Sequence, residues 1–243
     1  MEKRAAYSAL AEWFEYLNDD CDYENWSQYL IKKLSAYSLD TGIDVGCGGG
    51  YFTRAFRKAG YETIGVDASA EMLDKAQRVA LSEGSLGEYR LCDVTKDKIV
   101  GRYSFATAIN DCINYVPPEK LQRALKNVYG CLKKGGVFLF DVSSPKKFAE
   151  KFTNAVNVDD RDEVTYLSFA STDGAQAKLE VTLFIKNPDG SYVRKDETHV
   201  QYIHSKQALE SALQAAGFTL LQVEGHLGED EAVSDRLVFL AQK

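Results

Sequence analysis

The spacing of hydrophobic and polar positions changes along the chain and divides it into distinct stretches. From residue 42 to 142, short apolar runs alternate with segments whose apolar residues recur every three to four positions. This pattern predicts strands alternating with helices in a parallel sheet. Between about residues 164 and 203 the period falls to two, which predicts three or so antiparallel strands. Two further helices are predicted within residues 5–37, from apolar residues at helical spacing.

The alternation predicts an α/β fold with a doubly wound, mostly parallel, seven-stranded Rossmann-like sheet. An antiparallel β insertion over 150–204 and an N-terminal helical lid over 1–37 are added to a domain formed by 1–149 and 205–243. Strands of the sheet are predicted at Gly42–Val45, Glu62–Val66, Glu88–Leu91, Ser104–Ile109, Val137–Val142, Thr219–Glu224 and Arg236–Ala241. Helices are predicted at Tyr51–Ala59, Ala70–Leu81, Glu119–Leu132 and Ser205–Ala216.

The first strand of the sheet runs into the glycine-rich loop at the end of Ile43–Gly50. A strand, a glycine loop and a helix in this order form a nucleotide-type site at the carboxyl edge of a parallel sheet. A dinucleotide fingerprint would need a third glycine where Tyr51 stands, which speaks against an NAD-dependent oxidoreductase. No Lys or Arg lies between Asp44 and Thr53, so the loop favours a ligand with an adenosine body and an ammonium group over a polyphosphate.

These residues resemble the class I S-adenosylmethionine-dependent methyltransferases, whose first motif is Asp/Glu-x-Gly-x-Gly-x-Gly. Asp44, Gly46, Gly48 and Gly50 fill the motif completely, and Cys47 lies within it. The resemblance implies that the chain binds S-adenosyl-L-methionine, transfers its methyl group and releases S-adenosyl-L-homocysteine. An ordinary tight turn between strand and helix is the alternative interpretation of the loop.

An acidic residue also follows the second strand of the predicted sheet. Asp67 can accept both hydrogen bonds of a ribose diol, and the resemblance assigns it that role; an acid favoured by the helix macrodipole is the alternative. We expect Ala68 and Met72, which come next along the chain, to contact the cofactor. Core packing would explain Met72 equally well.

The third and fourth strands end in further polar residues. The resemblance implies that Asp93 accepts a hydrogen bond from the adenine amino group and that the Val94 amide donates one to a ring nitrogen. Cys92 is expected to lie beside them in the cofactor site. Residues Asn110–Tyr115 are unusually polar for a strand exit beside a core. The resemblance implies that they face the reactive sulfonium. The Asn110 carbonyl is expected to accept a hydrogen bond from the methionine amino group, with Asp111 beside it, and Tyr115 is expected to border the acceptor. Asn and Asp acting as loop caps is the alternative.

The N-terminal stretch also resembles small bacterial methyltransferases with a helical lid. In those proteins the first Tyr, here Tyr7, approaches the cofactor carboxylate, and the Trp, here Trp26, closes over the cofactor. This chain departs from their pattern in one place, because Phe14 and Glu15 replace the usual Tyr-Asp pair. The resemblance extends to sugar-amine N-methyltransferases with an antiparallel insertion over the active site.

One strand of the insertion places three polar side chains on one face, namely Glu197, His199 and Gln201. A solvent-facing surface is one explanation. If this face covers the cleft instead, His199 is the candidate general base or acceptor anchor. The resembling proteins carry an Arg after the Gln, where this chain has Tyr202.

The composition narrows the possible partners. A net charge of −7 argues against a nucleic-acid surface, so a small-molecule methyl acceptor is favoured over tRNA or protein. Five separated cysteines and three histidines make a metal site unexpected. We expect a cytoplasmic monomer or homodimer with no membrane segment. A protein that binds S-adenosylmethionine without catalysis is the alternative of a different class.

Overall fold

The computed structural model describes residues 6–19 and 21–243. Two β-sheets form the framework of the protein. The strands are β1 (Thr41–Val45), β2 (Glu62–Asp67), β3 (Tyr89–Leu91), β4 (Tyr103–Ala108), β5 (Leu132–Ser143), β6 (Val156–Asp160), β7 (Val164–Thr172), β8 (Gln176–Lys186), β9 (Tyr192–Tyr202), β10 (Thr219–Gly225) and β11 (Arg236–Gln242). The helices are α1 (Phe14–Leu17), α2 (Tyr23–Leu34), α3 (Tyr51–Lys58), α4 (Ala70–Ser82), α5 (Pro118–Cys131), α6 (Pro145–Lys151) and α7 (Lys206–Ala216).

The larger sheet has seven strands in the order β10-β11-β5-β4-β1-β2-β3. Its pairs are parallel except that β11 runs antiparallel to both β5 and β10. Within this sheet the chain enters at the inner strand β1, continues outward through β2 to β3 and then crosses back to β4. The switch point of the sheet therefore lies between β1 and β4. Ligands of open α/β sheets bind at the carboxyl ends of the strands at such a point. The predicted fold class is confirmed.

The helix boundaries follow from local sequence signals. The Ser69 hydroxyl accepts a hydrogen bond from the Met72 amide and caps α4. The Ser205 hydroxyl caps α7 in the same way, and Gly217 ends that helix with a φ of 106°. The helices pack their apolar sides on a sheet whose central strand β4 is buried along its whole length.

The second sheet has four antiparallel strands in the order β6-β7-β8-β9, one more than the three or so expected. Its apolar face packs against the N-terminal segment 6–19, where buried Leu10 contacts the cluster that contains Val164, Val181 and Leu183. The N-terminal segment therefore lies between the second sheet and the rest of the protein.

The N-terminal segment departs from the sequence prediction. Tyr7 has a positive φ of 59°, and only a short 3₁₀ turn at Leu10–Glu12 and the single turn α1 follow. The predicted regular helix is therefore wrong, because side chains of the second sheet hold the backbone in another shape. Helix α6 was not predicted, and the predicted start of the lid at residues 1–5 lies outside the described residues. Among those that are described, no helix is long and apolar enough to span a membrane.

Candidate active site

The glycine loop after β1 lies at the switch point of the larger sheet. Gly46, Gly48 and Gly50 have φ values of 67°, 52° and 81°, in the left-handed region that glycine adopts at least cost. A Cβ on Gly46 would lie 2.2 Å from the Cys112 Sγ atom, so this position has no room for a side chain. The loop is thus shaped to bring its backbone against both a ligand and the 3₁₀ turn Cys112–Tyr115 that follows β4.

A cavity of about 630 Å³ opens above this loop; it is called the first cavity below. It is bounded by the carboxyl ends of β1, β2, β3 and β4, with the N-terminal segment on one side. Most of the residues predicted to bind the cofactor line it, together with Tyr115: Tyr7, Asp44, Gly46, Cys47, Gly48, Asp67, Ala68, Met72, Cys92, Asp93, Val94 and Asn110.

Asp67 is held by the backbone around it. Its Oδ2 atom accepts a hydrogen bond from the Gly48 amide at 2.8 Å, and its Oδ1 atom accepts one from the Ser69 amide at 2.8 Å. Burial raises the pKa of Asp67 above its usual value. A carboxylate offers about four acceptor sites, so about two remain, which suits the two hydroxyls of a ribose.

Asp44 lies at the floor of the first cavity and is almost completely buried. Its two oxygens accept hydrogen bonds from the hydroxyls of Thr53 at 2.7 Å and Thr107 at 2.8 Å. Burial raises the pKa of Asp44 to about 6, against the lowering effect of the two hydroxyls. At neutral pH the group is a poorly solvated anion, which attracts a cationic ligand group.

Asp93 lies at the far end of the first cavity. Its Oδ1 atom accepts hydrogen bonds from the amide and hydroxyl of Thr95 at 2.9 and 2.6 Å, and Lys96 pairs with Oδ2 at 2.6 Å. Burial opposes a low pKa here, but Lys96 and Thr95 together hold the pKa of Asp93 below its usual value. Asp93 therefore stays an acceptor, as an adenine amino group requires.

Some predicted site residues do not lie at the first cavity. Trp26, at 1% exposure, is packed against Tyr29 and His226 in the core, because its spacing with Leu30 and Leu34 places it on the buried side of α2. Trp26 does not line the first cavity, so its contact with the cofactor stays a prediction. Gly50 does not line the cavity either and faces the Tyr89 hydroxyl.

A second cavity of about 450 Å³ adjoins the first. It lies under the second sheet, and the two cavities share one wall, formed by Tyr7, Phe14, Tyr23, Asn110 and Tyr115. Asp111 and His199 line this second cavity and not the first, so the cofactor contact of Asp111 also stays a prediction. Its lining is mixed: Leu10, Leu17, Phe152, Val158, Leu179 and Val181 are apolar, whereas Asn18, Asn157, Asp159 and Gln201 are polar.

Two cations and one carboxylate line the polar end of the second cavity, and the carboxylate of Asp141 is buried behind them. The Arg236 guanidinium contacts Asp141 and lies 3.1 Å from the Asp111 Oδ1 atom, and the Lys147 ammonium lies 3.6 Å from the Asp111 Oδ2 atom. The buried Asp141 accepts hydrogen bonds from the amides of Asn110 and Asp111. These bonds hold two consecutive residues at φ values of 59° and 62°, a strained geometry that is typical of functional sites.

His199 and Tyr115 are in direct contact. The Tyr115 hydroxyl lies 3.0 Å from His199 Nδ1 and 3.0 Å from the Tyr7 hydroxyl. The other imidazole nitrogen, Nε2, lies 2.7 Å from the Glu197 carboxylate. The face of β9 that carries Glu197, His199 and Gln201 is thus buried, and the solvent-facing alternative is wrong.

Several residues at the two cavities were not expected from the sequence. Arg236 on β11 and Lys147 on α6 line the second cavity. Glu15 lies beside Gly49 of the glycine loop. Burial raises the pKa of Glu15. No local motif marks these positions, since each depends on how the second sheet and the N-terminal segment pack.

The first cavity fits S-adenosylmethionine on these observations. It has a backbone cradle without side chains at Gly46 and Gly48, a ribose-type acceptor at Asp67 and an anionic floor at Asp44. Burial also raises the pKa of the Cys47 thiol well above its usual value. A neutral thiol there can pack against a ligand without reacting with it.

Comparisons with known proteins agree with this assignment. Residues 23–223 match the model of a protein family that is described as a methyltransferase domain. A relative from Geobacillus sp. (strain WCH70) that is named as a methyltransferase is 30% identical over 98% of this chain and 99% of its own length. A dTDP-3-amino-3,4,6-trideoxy-alpha-D-glucopyranose N,N-dimethyltransferase from Streptomyces venezuelae is 26% identical over 75% of this chain and 77% of its own length.

A solved structure gives the same result at the level of the whole chain. The S-adenosylmethionine-dependent methyltransferase from Clostridium acetobutylicum ATCC 824 superposes with a TM-score of 0.87 at 26% identity. The match covers 97% of this chain and 98% of the other. The chain therefore belongs to the methyltransferase domain family and is an S-adenosylmethionine-dependent methyltransferase.

Proposed function

We propose that this enzyme methylates a nitrogen or oxygen atom of a small molecule that binds in the second cavity, by in-line displacement. The observation that carries the proposal is the wall shared by the two cavities. A cofactor in one cavity and an acceptor in the other would meet where Tyr7, Asn110 and Tyr115 lie. Holding two reactants in line in this way can supply roughly 7–11 kcal/mol of the barrier in the best cases.

The residues of the first cavity have separable roles in the proposal. Asp67 would accept from the ribose hydroxyls, Asp93 and the Val94 amide would hold the adenine, and the Asn110 carbonyl would face the amino group. When bound, the cofactor supplies a methyl group already activated by a sulfonium. The protein is left to orient the acceptor, exclude water and receive a proton.

The second cavity favours an acceptor with one apolar and one polar end. Aliphatic and aromatic side chains line one part, while Asp111, Lys147 and Arg236 lie at the other. The buried Gln201 Oε1 and Asn110 Oδ1 atoms make no hydrogen bond to another part of the protein. Buried polar atoms are normally paired, so a ligand that offers N–H or O–H groups would complete this end.

Tyr115 is the proposed group that receives the acceptor proton, with His199 behind it. Burial raises the pKa of Tyr115 above its usual value, so its hydroxyl is neutral and needs a base to accept a proton. His199 Nδ1 lies at hydrogen-bond distance. A hydroxyl acceptor depends on such a pair, whereas an amine acceptor needs it less.

The proposal assigns the cofactor and the acceptor to different parts of the chain. In the proposal, residues 1–149 and 205–243 bind the cofactor and residues 150–204 cover the acceptor. A cavity of about 450 Å³ lies in the size range of small-molecule sites. Together with the net charge of −7, it favours a small acceptor over tRNA or a protein.

Release of S-adenosylhomocysteine from a panel of amino sugars, amines and small carboxylic and hydroxy acids tests the proposal. We expect turnover with at least one small molecule and none with bulk tRNA or unfolded protein. Turnover that requires a macromolecule would contradict the proposal. Binding of S-adenosylmethionine without transfer to any acceptor would favour a non-catalytic binding protein instead.

A further inference from the structure

Glu197 collects hydrogen bonds from two separate parts of the active site. Its carboxylate, on β9, is 2% exposed. One oxygen, Oε1, lies 2.7 Å from His199 Nε2 and accepts from the Tyr7 amide at 3.2 Å. The other, Oε2, accepts from the amides of Ala9 at 2.8 Å and Leu10 at 3.2 Å, and from the Ser8 hydroxyl at 3.3 Å. Five donors therefore converge on one carboxylate.

We propose that Glu197 is a positioning residue that couples closure of the N-terminal segment to the orientation of His199. By accepting from three backbone amides, it holds the segment around Tyr7 against the first cavity. By accepting from Nε2, it leaves Nδ1 of the neutral imidazole free to accept from the Tyr115 hydroxyl. The inference rests on the proposed roles of Tyr115 and His199.

The direction of every hydrogen bond in this network follows from Glu197. An ionised carboxylate can only accept, so neutral His199 must carry its proton on Nε2. Tyr115 then donates to Nδ1, and the Tyr7 hydroxyl donates to Tyr115. A proton that Tyr115 receives from the acceptor side can pass on to His199, and the imidazolium that forms lies 2.7 Å from Glu197. Without the segment in place, Tyr7 would be absent from the wall between the cavities.

Only a carboxylate with this reach satisfies all five donors. The amide of a glutamine has one accepting oxygen and one donating nitrogen. If the oxygen faces Ala9 and Leu10, the nitrogen faces His199 and moves the imidazole proton to Nδ1. If the oxygen faces His199, the nitrogen opposes the backbone amides and the segment loosens. Glu197→Gln must therefore disturb either the imidazole or the segment, although it barely changes the side-chain volume.

The first test uses the wild-type protein and needs no methyl acceptor. ¹⁵N NMR of the imidazole groups reports which nitrogen carries the proton, and the chain has three histidines, so His199→Asn identifies the signal. With S-adenosylhomocysteine bound and at a pH where the imidazole is neutral, we expect the His199 proton on Nε2. A proton on Nδ1 would overturn the inference, whatever the acceptor proves to be.

The second test compares Glu197→Gln with Glu163→Gln, an exposed glutamate in the turn between β6 and β7. In Glu197→Gln we expect either the imidazole proton on Nδ1 or faster amide exchange at Tyr7, Ala9 and Leu10, with exchange in β4 unchanged. The control should match the wild type in both. If Glu197→Gln keeps both wild-type signatures, the inference fails, while the proposed function is decided separately by the acceptor panel.

Turnover gives the last readout once an acceptor is known. Loss of an oriented acid–base pair typically costs about 100-fold or more. For a hydroxyl acceptor we expect Glu197→Gln to lower kcat by about 100-fold and the acceptor KM to change by less than about threefold. An unchanged kcat with such an acceptor would show that Glu197 does not take part in the reaction.

Discussion

At the scale of single residues, Asp44 has a cost in stability that follows from its burial. Its pKa rises from 3.8 in the unfolded chain to about 6 in the folded protein. Between these values the folded protein binds the proton and the unfolded chain does not, so stability falls as the pH rises through this window. The loss is complete above about pH 6 and amounts to about 3 kcal/mol at most.

Asp44→Asn should relieve this cost and weaken cofactor binding. Asparagine can still accept from one threonine hydroxyl and donate to the other, but it carries no charge. Denaturant unfolding should show the variant more stable than the wild type at about pH 8, by up to about 3 kcal/mol, with a smaller difference at about pH 4.5. Affinity for S-adenosylmethionine should fall. Asp162→Asn, at an exposed turn, is the control, and equal stability at both pH values would contradict the account.

Asp67→Ala tests the proposed ribose contact. A hydrogen bond to a charged group contributes about 1.5–3 kcal/mol, so the dissociation constant for S-adenosylhomocysteine should rise about 10- to 100-fold in calorimetric titration. Asp74→Ala is a suitable comparison, because it removes an exposed acid on α4 that does not line the first cavity. Wild-type affinity in a folded Asp67→Ala protein would remove Asp67 from the proposed site.

Tyr115→Phe separates chemistry from binding. The variant loses the hydroxyl that contacts His199 and Tyr7 but retains the ring in the wall between the cavities. For a hydroxyl acceptor we expect kcat to fall about 100-fold or more, with S-adenosylhomocysteine affinity within about twofold of the wild type. A kcat that does not change would mean that Tyr115 receives no proton.

Acids at strand ends were predictable from the sequence because a strand, its exit and the next helix are contiguous. Asp44, Asp67 and Asp93 were found in this way, and all three line one cavity. Glu197 could be placed on the correct face of a strand by its period of two. Its partners Tyr7, Ala9 and Leu10 could not be inferred, because nearly 190 residues separate them from it.

At the scale of elements, the glycine loop makes a direct prediction. Gly46→Ala places a Cβ 2.2 Å from the Cys112 Sγ atom and forces alanine to a φ of 67°. Overpacking of a filled site typically costs about 1–3 kcal/mol, so the melting temperature and cofactor affinity should both fall. Gly130→Ala meets nothing within 4 Å and lies in α5, so it should be neutral or stabilising. Two variants of equal stability would contradict this account of the loop.

The strands and helices of the larger sheet were largely predictable, since their apolar periods reflect burial on a regular framework. The N-terminal segment was not. Tyr7, Leu10, Phe14 and Leu17 have helical spacing, yet their apolar side chains pack on the second sheet while Glu197 captures the backbone amides. A tertiary contact thus outweighs a weak local preference for helix.

At the scale of the whole molecule, the central claim is that two adjoining cavities divide cofactor from acceptor. Leu179 lines the second cavity only, so a larger side chain there should obstruct the acceptor and spare the cofactor. Phe169 lies on the opposite face of the same sheet and is 52% exposed. Leu179→Trp and Phe169→Trp therefore form a matched pair.

The most direct test of this claim is S-adenosylhomocysteine release from the small-molecule panel by the wild type and this pair. We predict that kcat/KM for the best acceptor falls at least about tenfold in Leu179→Trp, about 1.4 kcal/mol. It should not change in Phe169→Trp, and both variants should bind S-adenosylhomocysteine as the wild type does. Equal kcat/KM in Leu179→Trp and the wild type would contradict the placement of the acceptor in the second cavity.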